Sequence, residues 1–97
     1  MKYELTGKLI EKYEMKQMSD SFRKREFVME VTEKRSDNIT MTEYIKMTLT
    51  NARCKLIDFI PLNTELKIIF CPKGRRFEKE GVMSYFTNLE AINIERI

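Results

Sequence analysis

Two clusters of cations, each gathered around a phenylalanine, are the residues of this chain whose type and spacing could do chemistry. Lys16, Arg23, Lys24 and Arg25 surround Phe22, and Lys73, Arg75, Arg76 and Lys79 surround Phe77. Between them stand Tyr44 and Lys46. Ammonium and guanidinium groups neutralise phosphates, and the released counterions drive affinity. Aromatic rings among them stack exposed bases, each stack contributing about 1–3 kcal/mol whatever the base. Tyr44 is the first candidate for stacking, Phe77 the second, with Phe22 and Tyr85 behind them. A competing reading comes from Asp20, Glu26, Glu78 and Glu80, which lie close enough in sequence to make either cluster a solvated, self-compensating surface.

Other chemistry has little to stand on. The chain has no histidine, which removes the usual general base at neutral pH and the commonest zinc ligand. Its two cysteines, Cys54 and Cys71, cannot make an ordinary structural zinc site, and they read as free buried thiols rather than a disulfide. No Gly-rich phosphate loop precedes a helix. The expectation is therefore a protein that is not an enzyme and needs no cofactor or metal. The net charge of +3 is mildly basic, and its distribution matters more than its sum. The opening MKYELTGKLIEKYE alternates and carries charge throughout, unlike a signal peptide. No apolar run approaches the roughly 20 residues of a membrane helix. A cytoplasmic protein without a membrane partner is expected.

The elements that must position these side chains are mostly strands. Residues 2–16 form a first strand, with Tyr3, Leu5, Gly7 and Leu9 on one face and a slip at Ile10 and Tyr13. Gly7 marks a bulge or a barrel corner. Residues 17–21 read as a polar loop. Residues 22–33 form a second strand with Phe27, Met29 and Val31 inward, and residues 39–50 a third with Ile39, Met41, Ile45, Met47 and Leu49 inward. Residues 51–60 are the helix candidate, capped by Asn51, with Ala52, Leu56, Phe59 and Ile60 at helical spacing and Pro61 as its stop. Asn63 suits a left-handed turn. A fourth strand from residue 64 is expected to end or bend at Pro72, leaving a basic loop that Gly81 closes. A fifth strand runs from Val82. Phe27, Phe70 and Phe86 are assigned to the core, and Met15, Met29, Met41, Met47 and Met83 read as core filler.

Five strands with one short helix between the third and fourth is the order of the OB-fold, a mainly β, five-stranded Greek-key barrel. An open sheet with the helix packed across it is the rival. Residues 1–97 read as a single domain of this kind. OB-folds bind oligonucleotides on the face of strands two and three, between the loops joining strands one to two and four to five. The two cationic clusters fall on those loops.

Four stretches carry a resemblance that covers most of the chain: ELTGKLIE, KREFVMEV, KLIDFIPLNTELKIIF and YFTNLEAINIER. In their order and spacing they resemble small OB-fold proteins of bacteria and their phages, described as a domain of unknown function, for which single-stranded DNA binding is the expected role. The sequence departs from that pattern in having no Trp and in placing Asn63 where a Gly is usual. The resemblance implies a single-stranded DNA-binding protein, with replication or recombination as the expected setting. Without a recognition helix, zinc module or RNA-recognition motif, binding indifferent to sequence is expected. The short site of one small domain makes a homo-oligomer the expectation. No residue distinguishes a 2′-hydroxyl, so RNA stays within the reading. The alternative is a protein-interaction or structural module that forms homo-oligomers without binding nucleic acid, using free strand edges.

Overall fold

The computed structural model describes residues 1–97 as one continuous sheet wound into a closed barrel. Its strands are β1 (Tyr3–Lys12), β2 (Lys16–Ser19), β3 (Phe22–Ser36), β4 (Ile39–Thr50), β5 (Glu65–Lys79) and β6 (Val82–Arg96). They lie in the order β1-β5-β6-β4-β3-β2, and an additional β1–β3 pairing closes the ring. Five strands make the barrel, and β2 is a short flap hairpinned onto the start of β3. A 3-10 helix (Asn51–Ile57) joins β4 to β5. This is the OB-fold.

Closure depends on β1 changing partners. Its first half pairs with β5, from Tyr3↔Phe70 to Lys8↔Glu65. Its second half pairs with β3, and the register shifts between Leu9 and Glu11, so Ile10 is the bulged residue. Gly7 stands where the strands converge. A Cβ built there would lie 2.5 Å from the Glu30 carbonyl oxygen, so only glycine permits the approach. The expected slip at Ile10 is this bulge.

The core is the inward period-2 face of each strand: Leu9, Phe27, Met29, Met47, Leu49, Leu66, Ile68 and Ala91, all fully buried. The helix seals one end of the barrel through Cys54 and Ile57, and Ile60 joins them just past its end. Their spacing of three is the period of a 3-10 helix, not of an α-helix. The expected α-helical stripe of Ala52, Leu56, Phe59 and Ile60 is therefore corrected: Ala52, Leu56 and Phe59 are exposed. Asn51 does not cap the helix. It sits inside it at φ 50°, and its Oδ1 accepts the Arg23 backbone N–H at 3.0 Å. Asn63 does take the left-handed conformation, at φ 73°.

Two hairpins run out past the core, and the molecule measures 51 × 33 × 22 Å. One is the far half of β3–β4, where Ile39 and Met41 prove exposed rather than inward. The other is the far half of β5–β6. β5 continues straight through Pro72, paired to Leu89, as far as Lys79, and the expected basic loop is instead a two-stranded ribbon. Proline is tolerated there because the β1–β5 pairing extends only from Glu65 to Phe70, so that edge of the strand is free. The turn is the two residues Glu80 and Gly81, both at positive φ (52° and 78°), the signature of a type I′ hairpin. Residues 17–21 are likewise corrected: Lys16–Ser19 is a strand paired with β3. Of the five methionines read as core filler, only Met29 and Met47 are buried. Cys54 and Cys71 are both free and buried.

Candidate nucleic-acid interface

Period-2 geometry sorts the first cationic cluster into two. Arg23 and Arg25 share the parity of Phe27 and Met29, so at the mouth of the barrel they turn toward the helix. Arg25 is held there on every side. Its Nε donates to the Tyr13 carbonyl at 2.9 Å, and its Nη1 donates to the Cys54 carbonyl at 3.3 Å and pairs with the Asp58 carboxylate. That guanidinium ties β1, β3 and the helix together and is committed to the fold. The same pair of arginines acts on the Cys54 thiol. Burial pushes it up from its ordinary value, Arg23 and Arg25 pull it partly back, and Asp58 adds to the rise.

Lys24 has the opposite parity and faces outward, directly across from Thr50 on one side and Lys16 on the other. Two like charges opposed across a ladder repel. Neither ammonium has a carboxylate within ion-pair range. An anion lying over the hairpin would relieve that repulsion.

The second cluster is sorted by the β5–β6 ladder. Lys73, Arg75, Phe77 and Lys79 alternate onto one face of the ribbon, and Arg75 is paired with Phe86 on β6. That face therefore carries three cations and two rings, with Phe77 59% and Phe86 56% exposed. Arg76 lies on the other face, opposite Tyr85. Phe86, assigned to the core from sequence, belongs instead to the exposed face. A hairpin pivoting on Glu80-Gly81 dictates its place opposite Arg75, and that turn is the signal that could have found it.

A groove of about 560 Å³ runs between the two clusters. Met18, Phe22 and Lys24 form one wall, Lys73, Gly74 and Arg75 the other, with Thr48, Thr50, Asn88 and Glu90 completing the lining. Thr48 and Glu90 mark the single point where β4 and β6 pair, in parallel. Glu90 is the one carboxylate in the groove. It accepts the Thr50 hydroxyl at 3.1 Å and lies 3.9 Å from Arg53, so its charge is directed away from the lysines. A second hollow of about 530 Å³ continues outward between Arg75, Arg76, Phe77 and Phe86.

Tyr44 and Lys46 occupy the same outward face of β4 as Thr48 and Thr50, but beyond the groove. At about 3.4 Å per residue, Tyr44 lies roughly 14 Å along the strand from Thr48. Lys46 is 3.5 Å from Glu26, so part of its charge is already answered. Of the cations read from sequence, only Arg25 and Lys46 stand in ion pairs. Of the acids named with them, Glu26 pairs with Lys46, while Asp20, Glu78 and Glu80 lie within ion-pair range of none of these cations. Met18, Thr48, Thr50, Asn88 and Glu90 line the groove without having been singled out. Nothing in their types marks them until the register places them.

Comparison with known proteins bears on this geometry. A family model described as a domain of unknown function (DUF3127) matches residues 4–95. Among curated protein sequences none matches. Of solved structures, a deletion mutant of the single-stranded DNA binding protein from Thermus aquaticus superposes with a TM-score of 0.78 at 14% identity, over 99% of this chain and 49% of that one. The chain thus spans about half the length of that neighbour. The protein priB from Ralstonia solanacearum superposes with a TM-score of 0.69 at 12% identity, over 99% of this chain and 97% of that one. At such identities the likeness is one of fold.

Proposed function

We propose that this chain, which belongs to the DUF3127 family, binds single-stranded DNA without regard to sequence. The observation that carries the proposal is the groove in which Lys24 and Phe22 face Lys73 and Arg75 across the Thr48–Thr50 floor. Unpaired cations would hold the sugar-phosphate backbone, and Phe22, Phe77 and Phe86 would stack bases. Duplex DNA keeps its bases stacked and hidden, so these rings favour a single strand. The T. aquaticus neighbour's printed description, a single-stranded DNA binding protein, supports the same assignment. Lys16 and Lys79 extend the charge at either end, and Lys46 and Tyr44 offer a second exit along β4. Arg76 is a peripheral contact, Arg25 supports the fold, and Arg23 lies toward the helix at the barrel mouth, away from the groove. The whole of residues 1–97 acts as one binding domain. A cytoplasmic role in replication or recombination, coating exposed strands, fits a surface that binds without chemistry.

Fluorescence anisotropy of a labelled oligo-dT strand, titrated at low and moderate salt with duplex of equal length as competitor, tests this. Salt-sensitive binding that duplex fails to displace is expected. Arg75→Ala should weaken it more than Arg76→Ala, because register puts only Arg75 on the face with Phe77 and Phe86. Absence of binding at micromolar protein in low salt sinks the proposal.

A further inference from the structure

The outer half of the β5–β6 ribbon has two free edges of opposite character. β5 pairs with β1 only from Glu65 to Phe70, so from Pro72 to Lys79 that edge has no partner. It carries Lys73, Arg75, Arg76 and Lys79, and Pro72 lacks a donor. Charge and proline are the devices that keep a strand edge from pairing with another chain. The edge of β6 has neither. Val82–Leu89 reads VMSYFTNL, eight residues without a charge. Apart from its ladder with β5, β6 pairs only at Thr48↔Glu90, which leaves all eight free on their outer side. Val82, Met83, Tyr85 and Phe86 are exposed along it, Tyr85 by 72%. The free edge of β4, by contrast, carries Glu43 and Lys46.

We propose that β6 pairs antiparallel with β6 of a second copy of this chain over residues 82–89, forming a four-stranded sheet in the order β5-β6-β6′-β5′. Charge selects this occupant. Neutral edge meets neutral edge, and the two cationic strands end outermost, three strand spacings or about 14 Å apart. That distance exceeds a Debye length of about 8 Å at physiological salt, so the repulsion is screened. The symmetry is two-fold and the interface isologous. Its axis stands perpendicular to the sheet, so directly opposed residues share a face and Tyr85 or Phe86 meets its own copy. The same axis places Lys73, Arg75, Phe77, Lys79 and Phe86 of both copies on one surface. Use of that surface rests on the nucleic-acid reading; the pairing does not.

Sedimentation equilibrium of the full chain without oligonucleotide tests the pairing independently of binding. The expected mass is twice the chain's 11.7 kDa. Ser84→Lys with Thr87→Lys, both at exposed positions of the free edge, should halve it with an unchanged circular dichroism spectrum. A wild-type chain that stays monomeric to millimolar concentration overturns the proposal, as does association that survives both lysines. Should the lysine variant fail to fold, single Tyr85→Cys and Phe86→Cys variants decide instead. Directly opposed strand residues have Cα atoms about 4.5–5.5 Å apart, within disulfide reach, and the native thiols are buried. A cross-linked dimer from one of the two is expected, and none from either overturns it.

Discussion

β5 and β6 stay paired along their length, with one register shift between Ile69 and Phe70, yet their two halves are different materials. In the barrel half, Leu66, Ile68 and Ala91 are fully buried. In the outer half every residue from Lys73 to Asn88 is exposed, although the pairing continues without a break from Phe70↔Ala91 to Lys79↔Val82. The hydrogen-bond pattern is shared, so it cannot be what distinguishes them. Burial organises the first half, and its side chains are spent on the fold. The second half is held by the ladder and a two-residue turn, and its side chains remain available to a ligand. Cations and rings collect where the core does not need the positions.

The sharpest way to break this comparison is to truncate one residue in each half. Ile68→Ala removes a fully buried side chain and should cost about 2–5 kcal/mol, read as a shift in the urea midpoint. Phe86→Ala, on the same ladder, should change stability by no more than about 0.5 kcal/mol. It should instead weaken oligo-dT binding by about 1–3 kcal/mol. Comparable stability losses at both sites, read at a dilution where the chain is monomeric, would mean that the Phe86 side chain packs within its own chain and is not available to a ligand.

Two glycines repeat the test on backbone space. Gly7→Ala puts a Cβ against the Glu30 carbonyl, where one strand or the other must move, and should cost about 1–3 kcal/mol. At Gly74 the nearest atom to an added Cβ is the Phe86 carbonyl oxygen, 3.9 Å away. Gly74→Ala should be neutral or gain about 0.4–1 kcal/mol through the unfolded chain. Thermal unfolding of the two variants side by side reads the contrast.

Arginine supplies a third pair. Arg25→Ala loses hydrogen bonds to two carbonyls and to Asp58 and should cost about 1–2 kcal/mol of stability, with Asp58 partly hydrated and so not stranded. Its oligonucleotide affinity, measured where the variant is folded, should hold. Arg75→Ala should leave stability alone and reduce the slope of log K against log salt by about 0.7, one phosphate contact on a single strand. Exchanged roles would reverse the assignment of Arg25 to the fold.

The barrel was more legible in the sequence than the site was. Alternation marked Phe27, Met29, Met47 and Leu49, because a buried face punishes any one-residue slip. The order of elements then implied the OB-fold. What stayed hidden depended on long-range register or on local turn chemistry. Pro72 looks like a terminator until the β1–β5 pairing is known to stop short of it. Arg23, Lys24 and Arg25 look like one cluster until parity sends Lys24 outward and the arginines to the helix. Phe86 looks like core because an apolar residue in a strand is usually buried, and only the Glu80-Gly81 pivot places it on the ribbon. The helix misled for a simpler reason: a 3-10 helix buries every third residue, so Cys54 and Ile57 do not match an α-helical template, and Ile60 follows after the helix has ended.

The smallest expected difference is one of pH. Burial raises the Cys54 thiol above its ordinary 9.0, so the folded state holds that proton longer than the unfolded chain does. The stabilisation is fully present below about pH 9, where both states are protonated. It fades as pH climbs from there toward the folded value, because the unfolded thiol ionises first. Tyr13, raised by loss of hydration and by Glu11, acts in the same direction at higher pH, so the total slope is not the diagnostic. The diagnostic is the part of the slope between about pH 8 and 10 that Cys54→Ala removes. The ribbon lies beyond the barrel end that Cys54 helps to seal. Oligonucleotide binding through the ribbon should therefore persist while the barrel end softens. Binding and stability that fell together over this range, with the same dependence on Cys54, would mean that the barrel end and the ribbon are coupled rather than separate.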